Sequence, residues 1–229
     1  MAHSTSLSFR TVVGNVSLHL EVAVRELAIA GWTAHDTNAP GPSKPIFYRA
    51  ASARLTHSET IEVSSENSTG EVEFILVESG GRLWAGAGSD HTDRSVEAHG
   101  IAAAKQICEK PLAGGLWLFT EIKDHWNELL LRSWLVDGDR RELYQAGSVR
   151  EMLSPAELIA VYTGGRPELP DNAVIFGGSL PVIGSARPAK RFEFEFVDPV
   201  RGRTLRHGYD VNVLRPAGSE NRYPSSESS

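Results

Sequence analysis

The hydrophobic positions of this chain recur mostly at every second residue, the pattern of strands with one buried face. Leu18, Leu20, Val22 and Val24 alternate with His19, Glu21 and Ala23, so residues 4–30 are expected to form strands. Phe192, Phe194 and Phe196 fall on one side of a second alternating run, with Arg191, Glu193 and Glu195 on the other. Residues 45–50, 60–63 and 173–176 read as short strands, and 203–213 as one that could close the sheet. Two β-rich runs, 72–77 and 82–87, flank Ser79-Gly80-Gly81, which predicts a hairpin. Helical spacing is rarer. Residues 95–110 predict the principal helix, capped by Asp90, Thr92 or Asp93. A shorter helix over 121–130 would put Ile122, Trp126 and Leu129 on one face. Ser154-Pro155-Ala156-Glu157 is a capping box with proline at the first helical position, opening a helix to about Tyr162. Asp36-Thr37-Asn38-Ala39-Pro40-Gly41-Pro42 is a loop signal. The sum is a mainly β (α+β) domain over residues 1–216 with about three short helices, followed by a loose Ser-, Glu- and Pro-rich tail at 217–229.

Composition narrows the partners. A chain of 229 residues can bury one sizeable core. A net charge of −6 with scattered arginines favours neither nucleic acid nor an anionic membrane. Cys108, the single cysteine, excludes an intramolecular disulfide and a cysteine-based zinc cluster, and reads as a small buried hydrophobe. The opening MAHSTSLSFR has no basic segment followed by an apolar run, and no apolar stretch approaches the ~20 residues of a membrane helix. The expected location is the cytoplasm, so the two glycosylation sequons at Asn15 and Asn67 read as chance.

Candidate chemistry begins at Gly70-Glu71-Val72-Glu73. Two carboxylates at i and i+2 of a strand share a face, with Cα atoms ~6.5 Å apart. Held together, like charges are costly unless a cation sits between them. Alone, the pair reads equally as the solvated face of an amphipathic strand. Asp90, in Gly88-Ser89-Asp90-His91-Thr92-Asp93-Arg94, could be a third carboxylate or a plain helix cap. Three oxygens on one side of a cation suit Mg²⁺ or Mn²⁺. Zinc is disfavoured, because His91 has no second histidine at ligand spacing.

These segments, in this order, resemble the fumarylacetoacetate hydrolase superfamily, whose strand Glu-x-Glu and later D-x-[ST]-x-R segment bind a metal. Pro45-Ile46-Phe47-Tyr48-Arg49 resembles its P-x-x-F-x-K, and Lys105 its lysine near the metal. The stretch from Ile175 to Gly184, with Gly177, Gly178 and Ser179, looks like a variant of its T-G-T-P-x-G-V-G loop without the threonines, and Thr204 to Tyr209 resembles its closing strand. The nearest texture is the branch called DUF2848, with A-G-W-T at Ala30–Thr33, S-G-E-x-E ending at Glu73, S-D-H-T-D-R at Ser89–Arg94 and K-Q-x-C-x-K-P at Lys105–Pro111.

The resemblance implies a mixed β-sandwich or roll, commonly dimeric, that acts on 2-oxo, enol or β-dicarbonyl acids through Mg²⁺ or Mn²⁺ and stabilises an enolate. It assigns the metal to Glu71, Glu73 and Asp90, catalytic charge to Lys105, and substrate contacts to Tyr48, Arg49, Arg94, Gly177, Gly178 and Ser179. One departure matters. Many members carry a His-x-x-Glu pair on a lid helix after the A-G-W-T-like segment, and none occurs here. His35 could stand in as a base, or be a solvated loop histidine. His125-Trp126-Asn127-Glu128 has the spacing but follows the metal segments, and by default is a solvated neighbour pair. The alternative to an enzyme is a binding protein that keeps the fold and has lost the lid.

Overall fold

The computed structural model describes residues 3–13, 16–31 and 45–215. The alternating segments become strands: β1 (Thr5–Val13), β2 (Val16–Val24), β3 (Glu26–Gly31), β4 (Ile46–Ala50), β5 (Leu55–Thr56), β6 (Thr60–Val63), β7 (Ser68–Thr69), β8 (Val72–Ser79) and β9 (Arg82–Ser89). They continue as β10 (Thr92–Asp93), β11 (Lys110–Pro111), β12 (Gly115–Leu118), β13 (Leu130–Asp137), β14 (Arg140–Ser148), β15 (Ala173–Ser179), β16 (Arg191–Asp198) and β17 (Arg203–Val213). One mixed sheet runs β2-β1-β12-β9-β8-β15-β3-β4, and a second runs β14-β13-β16-β17-β6. Two short ribbons, β7 with β10 and β5 with β11, join the segments around the site. This is the mainly β architecture that the alternation predicts, in the sandwich-like arrangement that the resemblance implies.

The central strand β8 is buried along its whole length. Val72, Phe74 and Leu76 enter a core between the sheets, shared with Leu131, Phe192, Phe194 and Phe196. Ile75 and Val77 enter a second core with Phe9, Val22, Leu27 and Val174. A strand covered on both faces reads as a continuous apolar run. Glu73 breaks that run, and its burial therefore needs a reason. On β16 the three phenylalanines point inward, while Glu193 bonds Arg141 and Arg191 on the outer side. The β8–β9 turn is Gly80-Gly81, with φ of 63° and 70°, the two left-handed residues of a tight hairpin.

Helices depart from the sequence pattern in length. The expected principal helix over 95–110 is two pieces, α1 (Arg94–Glu97) and α2 (Ile101–Ile107), because Gly100 adopts an extended backbone between them. Asp93 is the cap of the first, accepting from the Ser95 and Val96 N–H groups at 2.9 and 3.2 Å. Lys110 is not helical but lies in β11. The expected helix over 121–130 is α3 (Phe119–Ile122) followed by a 3-10 turn (Lys123–Glu128) that kinks at His125. Its predicted face holds nonetheless, with Ile122, Trp126 and Leu129 all buried. The capping-box helix is α4 (Pro155–Thr163). There are thus four short α-helices among the described residues, in keeping with the expected few. The pattern ends a helix at Leu130 and leaves 131–148 unassigned, whereas the structure makes 130–148 the β13–β14 hairpin. The loop signal at 36–42 and the tail at 217–229 lie outside the described residues.

Gly177 is where the fold constrains the site most tightly. A methyl group there would run into the ring of Phe74, which packs edge-on against Trp126. Gly177→Ala should therefore overpack the core and cost about 1–3 kcal/mol. Gly114, with open space around its Cα, is the control, and Gly114→Ala should stay within about 0.5 kcal/mol. Urea midpoints at constant slope measure both; equal midpoints would contradict the packing.

Candidate metal centre

Register brings the acidic residues together. Val72 opposes Ser89 and Glu73 opposes Gly88 in the β8–β9 ladder. The Asp90 N–H then donates to the Glu71 carbonyl at 2.9 Å, one residue beyond the strands. Glu71 and Glu73 share a face by strand alternation, and Asp90 turns back toward them. One carboxylate oxygen from each of the three lies within 4.8 Å of the others. Glu73 is 2 % exposed, which removes the solvated-face reading for it, and the wholly buried Asp90 is not the helix cap, a place taken by Asp93.

Three cations answer them. Lys105, on α2, contacts Asp90 Oδ2, and Lys110 Nζ lies 3.0 Å from Asp90 Oδ1. Lys110 also donates to the His91 carbonyl at 2.5 Å. Arg94 bonds Glu71 Oε1 and Glu97 Oε2, each at 2.7 Å, and Thr69 Oγ1 at 2.6 Å. Burial alone would raise the Asp90 pKa, but the two lysines outweigh it and bring it down to about 2. Burial likewise pushes Lys105 down, yet the Asp90, Glu71 and Glu73 carboxylates overcome it and hold the ammonium above its usual value. Glu73 goes the other way. Burial, then repulsion from Asp90, raise its carboxyl well above the usual range, and Lys105 and the Gly178 N–H only partly offset them.

The remaining predicted residues divide. Tyr48, Arg94, Lys105 and Ser179 line a cleft of about 240 Å³ over Glu71 and Glu73. Arg49, the next residue of β4, faces the opposite way and pairs with Glu26 at 3.0 Å in an exposed position. The structure does not bring it to the cleft, because adjacent strand residues diverge. Gly178 is present, but its N–H donates to Glu73 Oε2 at 2.8 Å and orients a carboxylate. Gly177 packs on Phe74, and Ser179 Oγ accepts from Gln145 at 2.6 Å. His35 lies outside the described residues. His125 Nε2 meets Asp198 Oδ1 at 3.0 Å and does not line the cleft. His91 faces Tyr209, with Nδ1 at 2.9 Å from its hydroxyl. Burial first, and Lys110 second, lower His91 to about 3 and keep it neutral. Cys108 is buried, as expected of a small hydrophobe, and burial raises its thiol pKa.

Lys110 is the site residue that the pattern alone does not single out. It sits at the end of an apparent helix, and only the pairing of Lys110 with Leu55 turns it inward. Its signal is chemical: a lysine within K-Q-I-C-E-K-P, next to a proline that ends the helix.

The donor set fits a hard divalent ion. Glu71 engages Arg94 through Oε1 and Glu73 engages Gly178 through Oε2, which leaves the second oxygen of each for a cation. Carboxylate oxygens without sulfur or imidazole suit Mg²⁺ or Mn²⁺.

The chain is similar in fold to several solved structures. A candidate fumarylpyruvate hydrolase from Burkholderia cenocepacia matches with 20% identity and a TM-score of 0.62, over 91% of this chain and 92% of that one. A candidate fumarylacetoacetate isomerase or hydrolase from Oleispira antarctica matches with 18% identity and a TM-score of 0.59, over 84% and 94%. A 2-keto-3-deoxy-D-arabinonate dehydratase complexed with magnesium and 2,5-dioxopentanoate matches with 18% identity and a TM-score of 0.63, over 90% and 79%. Among curated proteins, none matches. No helix among the described residues is long and apolar enough to cross a membrane. The family model described as "Protein of unknown function (DUF2848)" matches residues 21–209. With most of its length inside that model, the chain belongs to the DUF2848 family and carries the fold of the fumarylacetoacetate hydrolase superfamily.

Proposed function

We propose that this protein is an enzyme acting on an enolisable 2-oxo or β-keto acid, with Mg²⁺ or Mn²⁺ held by Glu71, Glu73 and Asp90. The observation that carries the reading is the convergence of three carboxylates, two of them buried, beneath a cleft that one charged lysine also lines. When bound, the ion supplies positive charge against the negative charge that develops on a substrate carbonyl oxygen. Magnesium with a dioxo acid in the dehydratase of the same fold adds weight.

The chain's own residues have separable tasks. Lys105 stays protonated at neutral pH, so it acts as a fixed positive donor and not as a base. Lys110 keeps one Asp90 oxygen occupied, so that aspartate stays oriented when Lys105 turns to a substrate. Arg94 fixes Glu71 and walls the cleft beside Tyr48. Among the described residues lining the cleft there is no histidine to activate water. Decarboxylation, isomerisation or rearrangement fits these groups better than fast C–C hydrolysis, which needs a positioned general base worth ~10²–10⁴ in rate.

Glu73 provides the first test. Without a divalent ion its carboxyl holds a proton above the ordinary range, while in the unfolded chain it ionises near its usual value. Folded stability therefore falls as pH rises through that interval. Ion binding requires the carboxylate, so it should release a proton, and affinity for Mn²⁺ should rise with pH. Glu73→Gln keeps the Gly178 bond and removes the charge. It should raise the ion-free Tm at neutral pH by at least ~2 °C, the shift of about 1 kcal/mol for this chain length, and abolish the Mn²⁺-dependent rise. A lowered ion-free Tm with a full Mn²⁺ response would place the ion elsewhere.

Lys105→Met separates ion from substrate. Mn²⁺ affinity should stay within about threefold, whereas oxalate, a mimic of an enolised oxo acid, should bind at least ~10-fold more weakly, the loss of one charge-assisted bond. Unchanged oxalate affinity would reject the role.

With Mn²⁺, oxaloacetate decarboxylation should exceed acylpyruvate hydrolysis by at least ~10²-fold, the lower end of what a general base supplies. The reverse order, unaffected by His35→Ala, would show a base elsewhere. No turnover across a panel of 2-oxo and β-diketo acids, with Mn²⁺ bound, would favour a binding protein.

A further inference from the structure

Gln145 lies on β14 in the smaller sheet and is wholly buried. Its amide spends every hydrogen-bonding valence, and most go to the segments that build the metal site. Oε1 accepts from the Val72 N–H at 3.0 Å, the peptide between Glu71 and Glu73. It also accepts from Ser133 Oγ at 2.8 Å. Nε2 donates to Ser179 Oγ at 2.6 Å and to the Leu180 carbonyl at 2.8 Å. Val72 offers only a donor and Leu180 only an acceptor, so the orientation of the amide is fixed by its partners.

The register explains why a side chain is needed there. Strand β15 pairs with β8 through Phe176 and Ile75, then slips, and resumes with Ser179 opposite Glu73. One step further along these antiparallel strands, Leu180 comes opposite Val72. A direct ladder bond would join the Val72 N–H to the Leu180 carbonyl. Instead the Gln145 amide stands between them, accepting from one and donating to the other. Its own position follows from an irregularity: Ser133 pairs with Gln145 but Trp134 with Leu143, so Tyr144 is an extra residue, and both Tyr144 and Gln145 are buried. Bulges of this kind re-aim side chains next to active sites.

We propose that Gln145 is a positioning residue for the site, an amide spacer that holds the end of β15 away from β8. Its span sets the separation between the Glu71–Glu73 face and the Gly178–Ser179 turn, and so aims the Gly178 N–H at Glu73. This rests on the metal reading for its functional consequence, but the spacer itself does not. A merely structural buried amide would tie the two sheets together without control over Glu73.

Gln145→Asn shortens the reach by one carbon and cannot span both partners; Gln145→Leu removes the bonds at nearly constant volume. Ser133→Ala leaves both bridging bonds in place. Two readouts decide. Amide hydrogen exchange at neutral pH should speed up at Gly178 by at least ~10-fold in Gln145→Asn, beyond any change at Ile75 in the middle of β8. Mn²⁺ should bind that variant and Gln145→Leu ~10–100-fold more weakly, the usual loss when a metal ligand loses its partner, here the Gly178 N–H on Glu73, and Ser133→Ala within about threefold of wild type. Equal slowing or speeding at Gly178 and Ile75, with Mn²⁺ affinity unchanged in Gln145→Asn, overturns the proposal. If wild type binds no Mn²⁺, the metal reading fails separately, and the Gly178 exchange rate alone decides the spacer. If Gln145→Leu does not fold, Gln145→Asn, which keeps the amide but loses the span between Val72 and Leu180, carries both readouts.

Discussion

Glu73, on β8, and Asp90, one residue past the end of β9, are almost wholly buried at the central hairpin. Taking a charge out of water costs several kcal/mol unless a partner answers it. The fold answers Asp90 twice, with Lys105 and Lys110, and answers Glu71 with Arg94. Among the described residues, Glu73 receives the Gly178 N–H and a share of Lys105. It is the unbalanced member of the cluster: burial, then repulsion from Asp90, raises its pKa. A divalent ion among the three carboxylates would offset that repulsion.

The surrounding elements follow from that constraint. The β8–β9 hairpin, closed by Gly80-Gly81, brings Glu71, Glu73 and Asp90 into register from a stretch of twenty residues in sequence. Asp93 caps α1 and so fixes the segment that leads from Asp90 to the lysines. The break at Gly100 lets α2 turn back and aim Lys105 at Asp90, and the β5–β11 pairing does the same for Lys110. Each device is local and modest, but together they hold buried charges within reach of one cation.

Much of this was legible from the chain. Strict alternation at Phe192, Phe194 and Phe196, and at Val22 and Val24, marks strands because one face is buried. The two same-face glutamates, and the D-x-T-x-R segment after a glycine turn, carry their geometry in their spacing. Other features depend on contacts distant in sequence. Helical spacing over 95–110 continues past the break at Gly100, so periodicity alone overextends the helix. Arg49 and Tyr48 look equivalent as neighbours until strand alternation sends one outward. The β13–β14 hairpin is masked by its irregular register at Ser133 and Trp134, and with it the inward course of Gln145. Lys110 is indistinguishable from a solvated lysine until Leu55 pairs with it.

The position of a bound metal ion tests the site most directly. Crystals soaked with Mn²⁺ and oxalate, with data collected at the manganese absorption edge, would locate it. The prediction is one anomalous peak within direct coordination distance of an oxygen of each of Glu71, Glu73 and Asp90. Oxalate should lie on the cleft side of that peak, near Lys105. A fully ordered cleft with no peak at saturating Mn²⁺, or a peak bound by other residues, would contradict it.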